Sequence, residues 1–301
     1  MYFLLITKHI LLINHKCVYL YQYKSNGIGG ETSKYITVST SIGNMTRVGT
    51  NANGGQTFEE GDEISVYAWT GDATVAPETR ERVVNNAINK LTNGSWVSTP
   101  QMLWKNNRDK HYFIGVYPTA AISDLSAGEY TFDVNKQTES DLLVAVNKDG
   151  LSYNVDEQQT VPLTFTHVMA KLVVNLTYKN QWGGIPTVEK VVVGNAAKEA
   201  IINYLTKVIT PSTTTKEDFS LPEITENTKY VSVIIPQEEV TQLTIVIGGK
   251  NFVYDNGTPL KLESGKITTI NLEVGRNEIK LGDVKITDWE DGSTFKGEAL
   301  N

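Results

Sequence analysis

The sequence predicts an all-β protein of antiparallel sandwiches, and three observations predict it. Short apolar alternations, punctuated by Gly, Asn, Asp, Ser and Pro, run from residue 35 onward. Little helical periodicity separates them, which disfavours a parallel α/β sheet. Finally, residues 161–178, VPLTFTHVMAKLVVNLTY, form one long extended run whose alternation slips once. Leu163 and Phe165 share one phase, while Val168, Ala170, Leu172, Val174 and Leu176 share the other. Strand side chains alternate faces with period two, so the odd step predicts that the chain changes buried face near His167. A bulge or a crossing between two sheets does that.

A chain of 301 residues is long enough for two domains that each bury a core. The division expected is a leader or disordered extension over 1–30, one β-sandwich over 31–160 and a second over 161–301, with the junction near 158–162. A formal charge of −7 and the absence of a Lys/Arg cluster argue against a nucleic-acid partner. Cys17 is the single cysteine, so no internal disulfide forms. Its place near the N-terminus makes it a candidate lipid attachment site. The first twenty-three residues are apolar enough to resemble an export signal, but Lys8, His9, His15 and Lys16 interrupt them and Asn14, His15 and Lys16 stand where a lipoprotein signal has small residues.

Along the chain, residues 35–39 predict a strand, followed by a polar stretch through Arg47 and a flexible TNANGGQ loop. DEISVYAW over 62–69 alternates Ile64, Val66 and Ala68 against Ser65, Tyr67 and Trp69, which predicts one inward face. Residues 112–117 and 141–147 are continuously apolar, as strands buried on both faces are. Residues 78–91 place Val84, Ile88 and Leu91 at helical spacing, yet Asn93-Gly94 is a strong hairpin signal, so two paired strands are preferred there. Residues 195–208, with Ala196, Ala197, Ala200 and Leu205, invite a short helix. Strands are expected over 188–193, 230–235, 243–247, 252–254, 260–262, 267–274 and 279–286. Gly248-Gly249 and Ser264-Gly265 are read as tight turns between neighbours, and 211–219 as an exposed polar loop.

No catalytic signature emerges. GIGG at 27–30 lacks the dinucleotide fingerprint, SGK at 264–266 lacks the phosphate-loop glycines, and neither a G-x-S-x-G elbow nor an H-E-x-x-H helix occurs. The four histidines are His9, His15, His111 and His167. His167 has no second ligand at metal spacing, and is expected to be structural, bonding backbone freed at the crossing, with no metal and no catalytic carboxylate within hydrogen-bond reach. Asp288, Glu290, Asp291 and Gly292 lack the register of a calcium loop and predict a solvated turn. Trp69, Trp96, Trp104, Trp182 and Trp289 are expected in cores, the alternative being an exposed sugar-stacking platform.

Ordered landmarks tie the chain to a known family: YITVS before Thr46-Arg47, FEEGDEISVYAW, GSW at 94–96, YFIGVYP, PLTFTHVMAKLVVNL, YVSVIIPQ, SGKITTINLEV and VKITDWEDG. In this order they resemble the fimbrillin-like (Mfa-like) family of type V pilus subunits. The resemblance implies an exported lipoprotein precursor of two tandem transthyretin-like sandwiches, located in the outer membrane or fimbrium and serving adhesion and assembly, with no enzymatic activity and no cofactor. It further implies processing after an arginine in the loop behind the first strand, which Arg47 matches, so that other fimbrial subunits dock by β-strand addition. Ligands would be host or bacterial surface molecules, and the membrane would be reached only through a lipid anchor. The alternative from another class is a surface carbohydrate-binding β-sandwich lipoprotein.

Overall fold

In a computed structural model, the described residues are 8–13, 16–21, 34–43, 57–154, 157, 159–238, 240–255, 257 and 259–289. They are almost entirely strand. Strands β1 (Lys8–Ile13) and β2 (Lys16–Tyr21) pair with each other and with no other sheet. Then come β3 (Thr37–Ile42), β4 (Glu63–Thr70), β5 (Arg82–Thr92), β6 (Ser95–Thr99), β7 (His111–Tyr117), β8 (Gly128–Thr131), β9 (Leu143–Leu151) and β10 (Thr160–His167). The second half contributes β11 (Ala170–Tyr178), β12 (Val188–Ala197), β13 (Glu199–Asn203), β14 (Val208–Pro211), β15 (Lys216–Ser220) and β16 (Glu223–Thr225). It closes with β17 (Lys229–Ile234), β18 (Gln242–Ile247), β19 (Lys250–Asp255), β20 (Lys266–Val274) and β21 (Ile279–Asp288).

Seven strands form the first sheet in the order β3-β10-β9-β7-β4-β5-β6. Its two ends approach each other. Tyr35 bridges Leu103, Ile36 N–H donates to Met102 O at 3.0 Å, and Trp96 Nε1–H on β6 donates to Thr40 Oγ1 at 3.0 Å. The curled sheet encloses Ile64, Val66, Phe113, Leu163 and Phe165, all essentially inaccessible. At β7 the chain needs glycine: a Cβ on Gly115 would stand 2.6 Å from Phe165 Cζ, so only a bare backbone lets that ring lie across the strand.

The opposite face of the same sheet is buried too. Tyr67, Trp69, Ile114 and Val116 belong to a second core shared with Leu172, Val191, Ile245 and Ile270 from the later strands. DEISVYAW therefore buries both faces, where one was expected, because β4 is central and lies between the two cores. The later strands form a five-stranded sheet, β16-β17-β11-β20-β21, a four-stranded one, β15-β12-β18-β19, and a three-stranded one, β14-β13-β8, in which β8 brings in the first half of the chain.

The expected change of face is present. Val161, Leu163 and Phe165 enter the first core, while Val168, Met169, Ala170, Leu172 and Val174 enter the second, as β10 in the seven-stranded sheet gives way to β11 in the five-stranded one. The chain leaves the first sheet after His167, because β10 pairs with β3 and β9. Leu172, Val174, Leu176, Val191, Val193, Val233, Ile235, Ile245 and Ile270 are all buried, as expected.

Other expectations need correction. The sheets are mixed: β3 pairs parallel with β10, and β11 parallel with β20. Both pairs join strands far apart in sequence, where no tight turn fixes the direction. Residues 195–197 and 199–203 are strand and 204–207 a turn, not helix, since Ala196, Ala197, Ala200 and Ile202 supply small and branched contacts to the core while β12 and β13 pair with neighbours. Helix propensity is overridden by burial. Ser264-Gly265 joins no two adjacent strands: Gly265 N–H donates to Met169 O at 2.9 Å and the segment leads into β20 beside β11. Residues 260–262 make only one bridge, Gln237 to Leu262, and the expected loop 211–219 includes the edge strand β15, whose Phe219 is buried. The Asn93-Gly94 and Gly248-Gly249 turns do close the β5–β6 and β18–β19 hairpins, with positive φ at all four residues.

Candidate functional site

Strand β3 fills a slot at the edge of the seven-stranded sheet. Thr37, Val38, Ser39, Thr40, Ser41 and Ile42 run parallel to Thr160, Val161, Pro162, Leu163, Thr164 and Phe165 in register. Ile36 and Val38 point into the core and are buried, whereas Ser39 and Ser41 lie on the other side. On the solvent side Ser41 Oγ donates to Thr164 Oγ1 at 3.2 Å, and Thr37 Oγ1 donates to Gln159 O at 3.3 Å. The segment just before the strand is gripped from the opposite flank, where Trp104 N–H donates to Lys34 O at 3.2 Å. Removing β3 would take Val38 out of the core it shares with Val161, Leu163 and Phe165 and leave one free ladder edge on β10.

The connection that follows is anchored at both ends on one residue. Gly43 N–H donates to Phe165 O at 2.8 Å, and the Phe58 ring packs edge-on against Phe165 at 5.1 Å, with Trp96 and Tyr117 at 5.3 and 5.4 Å. Arg47 lies between these anchors, outside the described residues. Cys17 falls in β2 opposite Leu12, and its side chain is likewise outside them.

A second constellation sits at the crossing. His167 Nδ1 lies 2.8 Å from Asp141 Oδ1, with side-chain exposures of 4% and 19%. A carboxylate is thus within hydrogen-bond reach of the imidazole. Trp289 lies flat on the imidazole, centroids 4.0 Å apart and planes within 5°, and Lys171 Nζ stands 5.2 Å from the Trp289 ring centre. Burial lowers the Lys171 pKa, and the Asp141 carboxylate opposes that shift. Backbone groups freed by the crossing are satisfied nearby: Val168 N–H donates to Leu142 O at 3.0 Å, and Ser264 Oγ donates to Val168 O at 2.8 Å. Lying under tryptophan, this cluster ties together β10, β11 and the end of β21.

His111 belongs to no motif in the sequence, since the groups it bonds are backbone groups that the sequence does not single out. It is fully buried, accepts Lys105 N–H at Nε2 (3.0 Å) and sets Nδ1 3.1 Å from Asp109 O, which fixes the Nδ1–H tautomer. Burial lowers its pKa. Trp69 and Trp104 are buried, and Trp96, Trp182 and Trp289 are half-buried and packed, so no exposed tryptophan platform exists among the described residues. Asp288 pairs with Lys266, whereas Glu290, Asp291 and Gly292 lie outside the described residues. Among the described residues no three His, Cys, Asp or Glu side chains group as metal ligands, and no helix is long and apolar enough to cross a membrane.

Comparison with solved structures finds the same fold in a protein provisionally named for cell adhesion from Bacteroides uniformis, with TM-score 0.63, 19% identity, and coverage of 85% of this chain and 100% of that one. A similarly named protein from Bacteroides ovatus gives TM-score 0.61 at 18% identity, covering 85% and 98%. A fimbrial protein from Bacteroides vulgatus gives 0.53 at 14%, covering 84% and 99%. No curated protein sequence matches the chain. The model of the family described as fimbrillin-like matches residues 46–289, most of the length and both cores. The chain belongs to the fimbrillin-like family.

Proposed function

We propose that this chain is a fimbrial structural or adhesin subunit that assembles at the cell surface by protease-triggered strand exchange. Family membership supports the fimbrial role. The observation that carries the mechanism is the construction of β3: a peripheral strand with Val38 buried in it and Ile36 buried just before it, one ladder, and a connection bearing Arg47 immediately behind it. Cleavage after Arg47 releases β3, leaving unpaired N–H and C=O groups on β10 above an apolar slot, which a strand from another subunit satisfies. No step requires a catalytic group in this chain. Cys17 is proposed as the lipid attachment residue of an exported precursor, and the outer membrane or fimbrium as its location. The packed tryptophans count against the sugar-platform alternative.

The test is limited digestion with a trypsin-like protease followed by mixing with intact subunits. Cut protein is expected to form oligomers that survive heating in detergent, and Arg47→Ala to abolish both the cut and the oligomers. Cut protein that stays monomeric beside intact subunits overturns the mechanism.

A further inference from the structure

The last described strand has an open edge of unusual composition. Among the described residues nothing pairs with the outer side of β21. Its ladder to β20 sets Leu281 opposite Leu272, Val284 opposite Ile270 and Ile286 opposite Thr268, all three partners being buried, so this apolar row faces the core side of the sheet. Yet Leu281, Val284 and Ile286 remain 39%, 41% and 39% exposed. The facing sheet ends at β19, which lies against β21 without burying them. Asp283 and Lys285 point to the other side, opposite Asn271 and Thr269.

We infer that β21 is a self-complementary edge that pairs antiparallel with β21 of a second copy of this chain about a two-fold axis through Val284. A two-fold interface requires that each contact be met by its own converse, and this strand satisfies that requirement. With the axis at Val284, Asp283 of one copy faces Lys285 of the other, twice. Gly282 is the extra residue where β21 bulges against β20, the register passing from Asp283 to Leu281 across it. Skipping it sets Leu281 against Ile286 of the second copy, again twice. The apolar row is thereby continued across the axis, and opposite charges lie directly across from each other on the outer face. Moving the axis to either neighbour places Asp283 against Asp283 or Lys285 against Lys285. The charges therefore select the register, and they guard the edge against other strands. This pairing requires no cleavage at Arg47 and is separate from the proposed strand exchange.

One strand pair buries less than the roughly 1,000 Å² of a standard stable interface, so association is expected only at roughly 10–100 µM. The test is sedimentation equilibrium of the uncut full chain with charge swaps. Wild type is expected to dimerise reversibly, Lys285→Asp and Asp283→Lys each to weaken association at least tenfold, and the double variant D283K/K285D to restore it. Val284→Lys, which places two cations on the axis, is expected to abolish it. Melting curves confirm that each variant folds. A chain monomeric up to about 1 mM, a dimer indifferent to Val284→Lys, or a double variant that fails to recover overturns the inference. So does a chain that dimerises only when truncated after Trp289, since residues 290–301 would then be the occupant of the edge. Heat-resistant oligomers formed only after cleavage belong to strand exchange and leave this dimer to be judged on the uncut chain.

Discussion

Strands β3 and β21 both lie at the end of a sheet, yet they are built in opposite ways. Strand β3 sinks Val38, and Ile36 just before it, into an enclosed core; the strand pairs with β10, and the segment leading into it is bonded to the chain at residues 102–104. Strand β21, longer and paired with β20 over its whole length, leaves its inward-facing apolar row about two-fifths exposed. Length and ladder hydrogen bonds are therefore poor guides to how firmly an edge strand is needed. What distinguishes the two is how much apolar surface each removes from water, and that makes β3 a plug for the first core and β21 a rim on the second.

Substitutions can break or sharpen this contrast. Ile36→Ala, which empties a buried position at the entry to β3, is expected to destabilise by about 2–5 kcal/mol in denaturant titration. Val284→Ala in β21 is expected to change stability by less than about 1 kcal/mol. Equal effects would erase the distinction. The crossing between the two regions comes next in size: Asp141→Ala leaves the buried His167 imidazole without its carboxylate, for a loss of about 1–3 kcal/mol. Trp289→Ala removes the ring stacked on His167 at the end of β21, and about 0.5–1.5 kcal/mol is expected beyond its area burial. A larger loss there would mean that β21 is fastened mainly at this end.

The smallest effect concerns pH. His111 has its pKa lowered by burial, so the folded chain binds its proton less readily than the unfolded chain does. Its contribution is fully present above the unfolded value of about 6.5 and declines as pH falls below that value, toward the lower folded pKa. A decline in stability between pH 7 and 5 that is shallower in His111→Gln is expected. NMR titration of His111 at or above pH 6.5 would contradict it.

Much of this arrangement was legible in the sequence wherever a local pattern coincided with a tertiary event. The phase slip between Phe165 and Val168 marked the crossing because both flanking strands bury one apolar row on opposite cores. Asn93-Gly94 fixed a hairpin against a helical period, since positive φ at two successive residues is a strictly local demand. Other features depended on long-range neighbours. Residues 195–203 hold alanines that suit a helix, and only the core around them makes them strands. The second buried face of DEISVYAW could not be read from alternation, because Tyr67 and Trp69 look the same on a solvated face as in a core. Asp141, the partner of His167, lies 26 residues away, brought close by the β9–β10 pairing. Parallel pairing of β3 with β10 spans more than a hundred residues and leaves no turn to announce it. Arg47 was legible only through the family resemblance.

Amide hydrogen exchange along β10 tests most directly whether β3 is a replaceable plug. In the intact chain, the β10 amides that face β3 are expected to be protected. After cleavage behind Arg47 and release of the strand, protection should fall selectively over residues 160–165 and return when intact subunits are added, with β9 and β7 unchanged throughout. Protection that persists after the cut, or that collapses across the whole seven-stranded sheet, would contradict a slot built to exchange its strand.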